Sequence, residues 1–186
     1  GNQLQTAAGV VVWLQGLSVD SLEWSATGER IVPSIEVAID QWHANCIRLA
    51  IREDFWFGKS AYQQDGGAGY RQVVESAVNA TAGRGAYIAL DLHRFRAPSE
   101  AHVAFWEAVA KQYANHPAVL FELFNEPHDL SWELWRNGGE VTDKVPPKEG
   151  VVSESKEELK RFQTVGMQRL LEAVRGTGAR NLVIAG

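Results

Sequence analysis

Short apolar runs alternate along this chain with longer stretches of helical periodicity, a pattern that points to βα units laying down a parallel sheet. Val10 to Leu14 is the first strand candidate. From Ser34 to Cys46, the residues Ile35, Ala38, Ile39 and Trp42 fall at helical spacing, so one apolar face should rest on the sheet. Cys46 to Ile51 reads as the second strand. Tyr70, Val73, Val74, Ala77 and Val78 repeat the helical pattern, with Gly83 and Gly85 suited to ending it in a left-handed turn. Ala86 to Leu92 is the third strand. Ser99 can cap a helix carrying Val103, Trp106, Ala110 and Tyr113, which the proline of His116-Pro117 stops. Ala118 to Phe124 is the fourth strand. Ser155 and Glu158 form a capping-box pattern ahead of Leu159, Phe162, Leu170 and Val174; Gly176 and Gly178 close that helix, and Asn181 to Ala185 is a fifth strand.

Right-handed crossovers put such strands in the order 1-2-3-4-5. No linker, repeat or low-complexity tract divides the chain, so residues 1–186 are read as a single domain. The one long excursion, His128 to Glu154, leaves the C-terminal side of a strand, where α/β sheets and barrels carry their sites. The mixed run from Glu154 to Arg161 reads as the solvated start of a helix.

Composition matters mainly for what it excludes. At 45% hydrophobic and 22% charged, the chain is too apolar for disorder and too interrupted to span a membrane. A net charge of -5 without a Lys/Arg cluster argues against nucleic acid. Cys46 is the single cysteine, which rules out an intramolecular disulfide or a cysteine zinc site. Gly1 to Gln5 has neither the basic nor the apolar region of a signal peptide. No metal-ligand spacing and no Gly-rich phosphate loop is found, so no cofactor is expected.

Four polar groups stand where apolar strands should be ending: Arg48, His93, Asn125 and Glu126. Strands seldom carry such groups unless a network or a site satisfies them, because burying them unpaired costs several kcal/mol. They converge from three strands, as barrel active sites do. Glu126, flanked by an amide and locked by Pro127, can be held rigidly enough to protonate a leaving oxygen, and Asn125 can bond a substrate hydroxyl. Strand alternation sets Glu122 on the same face as Glu126, about 13 Å deeper. Taken alone, Asn-Glu-Pro is also an ordinary turn after a strand.

Leu120 to Pro127, with the sequence LFELFNEP, resembles the strand-four signature of glycoside hydrolase family five, which includes many endoglucanases and mannanases. Asn45-Cys46-Ile47-Arg48-Leu49 resembles that family's second-strand arginine motif, and Leu90-Asp91-Leu92-His93 its third-strand histidine motif. Order and spacing agree, and the resemblance spans nearly the whole chain. It implies an α/β fold, a partial TIM (β/α) barrel of about four βα units plus a fifth strand. It further implies Glu126 as acid/base, Asn125 as the residue bonding the sugar 2-hydroxyl, and Arg48 and His93 as supports for substrate or nucleophile. The family's nucleophilic glutamate follows strand seven, and its histidine-tyrosine pair and sugar-stacking tryptophan also come later; none is present here. Glu53, Asp54 and Asp129 lie near strand ends and are set aside as replacements for the nucleophile.

Among the seven tryptophans, Trp24, Trp56, Trp132 and Trp135 fall in loops and are candidates for stacking on pyranose rings, or for plugging loops onto the sheet. Trp42 and Trp106 read as core helix residues, and His43, His102 and His116 as structural. The resemblance implies a retaining endo-β-1,4-glucanase acting on a β-linked poly- or oligosaccharide, and secretion. Without the nucleophile the chain alone should be inactive or strongly impaired. The alternatives are a non-catalytic, self-assembling half-barrel with weak sugar binding, and an unrelated open α/β binding protein. Open barrel edges also predict a homo-oligomer.

Overall fold

The computed structural model describes residues 3–6, 8–144 and 159–186. In chain order its elements are β1 (Gly16–Val19), α1 (Ile31–Asp40), β2 (Cys46–Ile51), α2 (Glu53–Trp56), α3 (Ala68–Ala82), β3 (Tyr87–Leu92), β4 (Phe95–Arg96) and α4 (Glu100–Gln112). They continue with β5 (Val119–Glu122), β6 (Glu126–Pro127), α5 (Trp132–Asn137), β7 (Gly139–Lys144), β8 (Leu159–Thr164), α6 (Gly166–Gly176) and β9 (Val183–Ile184). β1, β2, β3, β5 and β9 form one parallel sheet in that order, as the sequence predicts. The sheet does not close: β1 and β9 each have a single neighbour among the described residues.

Alternation along the strands separates two faces. Ile47, Leu49, Ile51, Ile88, Leu90, Leu92, Val119 and Phe121 point to the helices and join Ile35, Val74, Trp106 and Leu170 in one buried cluster. The opposite face carries Arg48, Ala50, Tyr87, Ala89, Asp91, Leu120 and Glu122, none of which belongs to that cluster. Trp106 is fully buried and donates its indole N–H to the Leu123 carbonyl at 2.9 Å. His102 caps α4 by accepting the Ser99 N–H on Nδ1 at 2.9 Å, a structural role as expected.

Several expectations fail in instructive ways. The first sheet strand is Gly16–Val19, not Val10–Leu14: Val11 makes only an isolated antiparallel bridge to Gln5, and Val10 and Trp13 are exposed. Gly16 fits this place because an added Cβ would sit 1.6 Å from the Cys46 carbonyl oxygen. The first helix starts and stops earlier than its apolar spacing suggests, at Ile31–Asp40, so Trp42 lies past its end and is 68% exposed rather than in the core. Leu159 to Thr164 is a strand rather than a helix, paired antiparallel with Gly139–Lys144; the helix begins only at Gly166. Ser155 and Glu158 of the expected capping box lie outside the described residues. No helix among the described residues is long and apolar enough to cross a membrane.

Candidate active site

The register places the site's lower tier. Ala50, Asp91, Glu122 and Ile184 lie side by side across β2, β3, β5 and β9, with Arg48, Ala89 and Leu120 one row closer to the N-terminal ends. From that lower row Arg48 reaches upward. Its Nε and Nη2 donate to the two Glu122 oxygens at 2.7 and 2.8 Å, a forked pair, and Nη2 also donates to Asn125 Oδ1 at 2.8 Å. The same Nη2 lies 3.0 Å from Asp91 Oδ2. That oxygen also meets His93 Nδ1 at 2.6 Å. One guanidinium thus joins residues from β2, β3 and the exit of β5, a geometry that suits arginine and not lysine.

Electrostatics follow from burial and pairing. Burial pushes the Asp91 carboxyl above its ordinary range, against the pull of His93 and Arg48. The hydrogen bond to Asp91 pushes His93 up, and the Glu122 carboxylate does the same to Arg48. Among the described residues, two buried side-chain atoms in this network have no partner, Asp91 Oδ1 and Asn125 Nδ2. Unpaired buried polar atoms are uncommon in folded proteins, and a catalytic role or a bound group that completes the set is one physical reason for them.

A second tier extends the ladder beyond the sheet. His93 N–H donates to the Ile51 carbonyl at 2.8 Å and Asn125 N–H to the Leu92 carbonyl at 3.0 Å. β4 and β6 then pair in parallel, Phe95 opposite Glu126 and Arg96 opposite Pro127, with Glu126 N–H donating to the Arg94 carbonyl at 3.1 Å. Glu126 is therefore not a continuation of β5, which ends at Glu122; its side chain is exposed above the network. After β5 the chain bends at Asn125 before β6 begins.

Both arginines beside Phe95 are anchored. Arg94 forks onto Glu53 at 2.6 and 2.7 Å. Burial alone would raise Glu53, but His102 and Arg94 outweigh it and bring the carboxyl down to about 2. Arg96 holds Asp143 of β7 at 2.6 Å and the carbonyl of Asp129 at 2.7 Å. Sequence reasoning missed Arg96; its left-handed backbone, φ 78, has no signature in an arginine codon position, and its partner Asp143 is far along the chain.

The tryptophans divide. Trp56 is 2% exposed and packs edge-on against Phe105, so it is a core residue and not a stacking platform. Trp24 is 60% and Trp132 82% exposed. Trp135 is half-buried, stands edge to face with Trp132 at 5.5 Å, and lines with Pro127, His128, Asp129 and Leu130 a cleft of about 280 Å³. Among the described residues no group of three or more His, Cys, Asp or Glu could hold a metal ion.

An open arc of parallel strands with charged and polar side chains gathered at the strands' C-terminal ends is the layout of a (β/α) barrel. The sequence model of Cellulase, glycosyl hydrolase family 5, matches residues 6–186. The chain belongs to that family.

Relatives in sequence include endoglucanase MaCel5A of Microbulbifer sp. (strain ALW1), 26% identical over 145 residues, covering 72% of this chain and 26% of the relative. Endoglucanase Z of Dickeya dadantii is 31% identical over 121 residues, covering 61% of this chain and 27% of its own length. Among solved structures, the catalytic domain of Thermobifida fusca endoglucanase Cel5A (E5) superposes over 100% of this chain and 52% of that one, with a TM-score of 0.64 at 18% identity. A variant of that domain in complex with cellotetraose matches with a TM-score of 0.53. The chain thus spans 26% to 28% of the length of the curated endoglucanases it matches.

Proposed function

We propose that this chain supplies the acid/base half of a retaining endo-β-1,4-glucanase site. Glu126 gives its proton to the glycosidic oxygen as the bond to C1 breaks, and Asn125 donates Nδ2–H to a sugar hydroxyl. Arg48 and His93 hold the floor beneath them, while Trp24, Trp132 and Trp135 offer faces for pyranose rings. The observation that carries this reading is the buried, unpartnered Asn125 Nδ2, fixed by Arg48 on its Oδ1 side and adjacent in sequence to an exposed carboxyl. Endoglucanase relatives and the cellotetraose complex of a structural neighbour support a β-1,4-glucan as substrate.

Retaining hydrolysis needs a second carboxylate roughly 5 Å from the first. Each of the carboxylates considered as a replacement is already engaged: Glu53 and Asp54 by Arg94, Asp129 by His128 at 2.9 Å. The 186-residue chain by itself is therefore inactive or strongly impaired. The test is hydrolysis of an aryl β-cellobioside by this chain with Glu126→Gln as control, and calorimetry with cellotetraose. Robust turnover lost in Glu126→Gln sinks the claim of a missing nucleophile; no binding at all sinks the glucan reading.

A second reading is favoured by the sheet itself: a self-assembling half-barrel, exposed along the edges of β1 and β9 that have no neighbour among the described residues. Sedimentation velocity that finds only monomer at micromolar concentration removes it.

A further inference from the structure

We propose that Asp91 is a positioning residue of this site: its Oδ2 fixes the His93 ring with a proton on Nδ1, so that Nε2 is the nitrogen offered to the substrate. The inference rests on the preceding reading only for what Nε2 meets; the tautomer follows from the protein alone.

Asp91 is fully buried on the inner face of β3. Its Oδ2 is shared between His93 Nδ1 at 2.6 Å and Arg48 Nη2 at 3.0 Å. A guanidinium only donates, so Oδ2 accepts from Arg48, and beside that cation an ionised Asp91 accepting Nδ1–H is favoured over a carboxylic acid donating to the ring. Phe95 stands edge-on to that ring at 5.4 Å and restricts its rotation. Nε2 has no partner among the described residues, and the His93 side chain is 20% exposed. The charged groups facing the ring are Asp91 on its own strand, Arg48 from β2 and Glu23 from the segment after β1. Glu122 of β5 acts one step removed, on Asp91.

The consequence is directional. While His93 keeps its second proton, Nε2–H donates to a sugar oxygen; once that proton leaves, Nε2 accepts from a sugar hydroxyl and Nδ1–H stays on Asp91. Without Asp91 the ring is free to place its single proton on Nε2 and to swing away from the floor of the cleft.

Imidazole nitrogen spectra of the folded chain, recorded from pH 5 to 9 and assigned with His93→Gln, decide the matter. In the unsubstituted chain neutral His93 should carry its proton on Nδ1. Asp91→Asn, which keeps an acceptor oxygen but not the charge, should retain that tautomer and titrate at lower pH. Asp91→Ala should also lose the tautomer and weaken cellotetraose binding about tenfold, the effect of one lost oriented hydrogen bond. A neutral ring protonated on Nε2 in the unsubstituted chain overturns the proposal, as does an unchanged titration and tautomer in Asp91→Ala. If Asp91→Ala does not fold, an unchanged titration in Asp91→Asn overturns it. The ring spectra are read without sugar, so a chain that shows the Nδ1 tautomer yet binds no cellotetraose supports the role of Asp91 while removing the glucan reading.

Discussion

Replacing Arg48 with Met removes the cation that, among the described residues, touches Asp91, Glu122 and Asn125 together, and the consequences can be worked out from their register. Asp91 and Glu122 are direct neighbours across β3 and β5, so without Arg48 two carboxylates face each other, one of them with 0% side-chain exposure. Removing one partner of a buried ion pair costs ~3–5 kcal/mol. The Arg48 side chain is 28% exposed and that of Glu122 13%, and this water access reduces the expectation to about 2–3 kcal/mol at pH 7. For a chain of 186 residues that is a fall in Tm of roughly 4–12 °C.

The pH dependence has a definite sign. A carboxyl whose folded pKa lies above its unfolded value destabilises the fold at high pH and stops doing so once pH falls below the folded pKa. Arg48→Met pushes Asp91 further in that direction, since the pull of Arg48 is lost while the neighbouring Glu122 charge still raises it. The stability gap to the unsubstituted chain is therefore widest near pH 7.5 and narrows towards pH 5. Urea unfolding followed by tryptophan fluorescence at several pH values measures it. A gap below about 1 kcal/mol at pH 7, or one that does not narrow on acidification, refutes the network as described.

Trp132→Ala should weaken cellotetraose binding by about 1–2 kcal/mol and leave Tm unchanged, whereas Trp56→Ala should destabilise the fold by about 3–5 kcal/mol; calorimetry and thermal unfolding of both separate platform from core. Glu53, with its carboxyl down at about 2, stabilises the fold fully above the unfolded carboxylate range and loses that contribution as pH falls towards 2. Glu53→Gln should thus lower stability near pH 6 and flatten the acid limb between pH 5 and 2, read from urea midpoints across that range.

What could be read in advance followed from how strongly burial stamps the sequence. Cys46–Ile51 was legible to the residue, and the third strand to within one, because a strand covered by helices on one face and crowded on the other reads as a near-continuous apolar run. Gly16–Val19 was hidden for the opposite reason: it contains a glycine and a serine, while the more apolar Val10–Leu14 nearby lies outside the sheet. Leu159 and Phe162 mimic helical spacing, and only their pairing with Gly139–Lys144, a contact far along the chain, makes them a strand. Arg48, His93, Asn125 and Glu126 announced themselves as polar residues at apolar strand ends, and three of the four do meet in one network. Asp91 and Glu122 carried the same signal, an acid inside an apolar run, and their role as the two carboxylate partners of Arg48 needed the register to be seen.

Glu126 stands apart from that network. Nothing in the lower tier bonds its backbone; its N–H is held by the Arg94 carbonyl, and the next rung, His128 N–H to the Arg96 carbonyl at 3.2 Å, continues the same short ladder. The placement of the proposed proton donor is thus inherited from Phe95 and its two flanking arginines. Arg94 ties this segment inward to Glu53 at the start of α2, and Arg96 ties it outward to Asp143 and to the carbonyls of His128 and Asp129. The floor and the proposed proton donor are positioned by separate sets of charges, joined through the backbone of residues 92–96 and the Asn125–Glu126 peptide. A substitution in the floor, such as Arg48→Met, should therefore disturb where a sugar's hydroxyls are bonded more than where the proton donor stands, and a substitution at Arg96 should do the reverse.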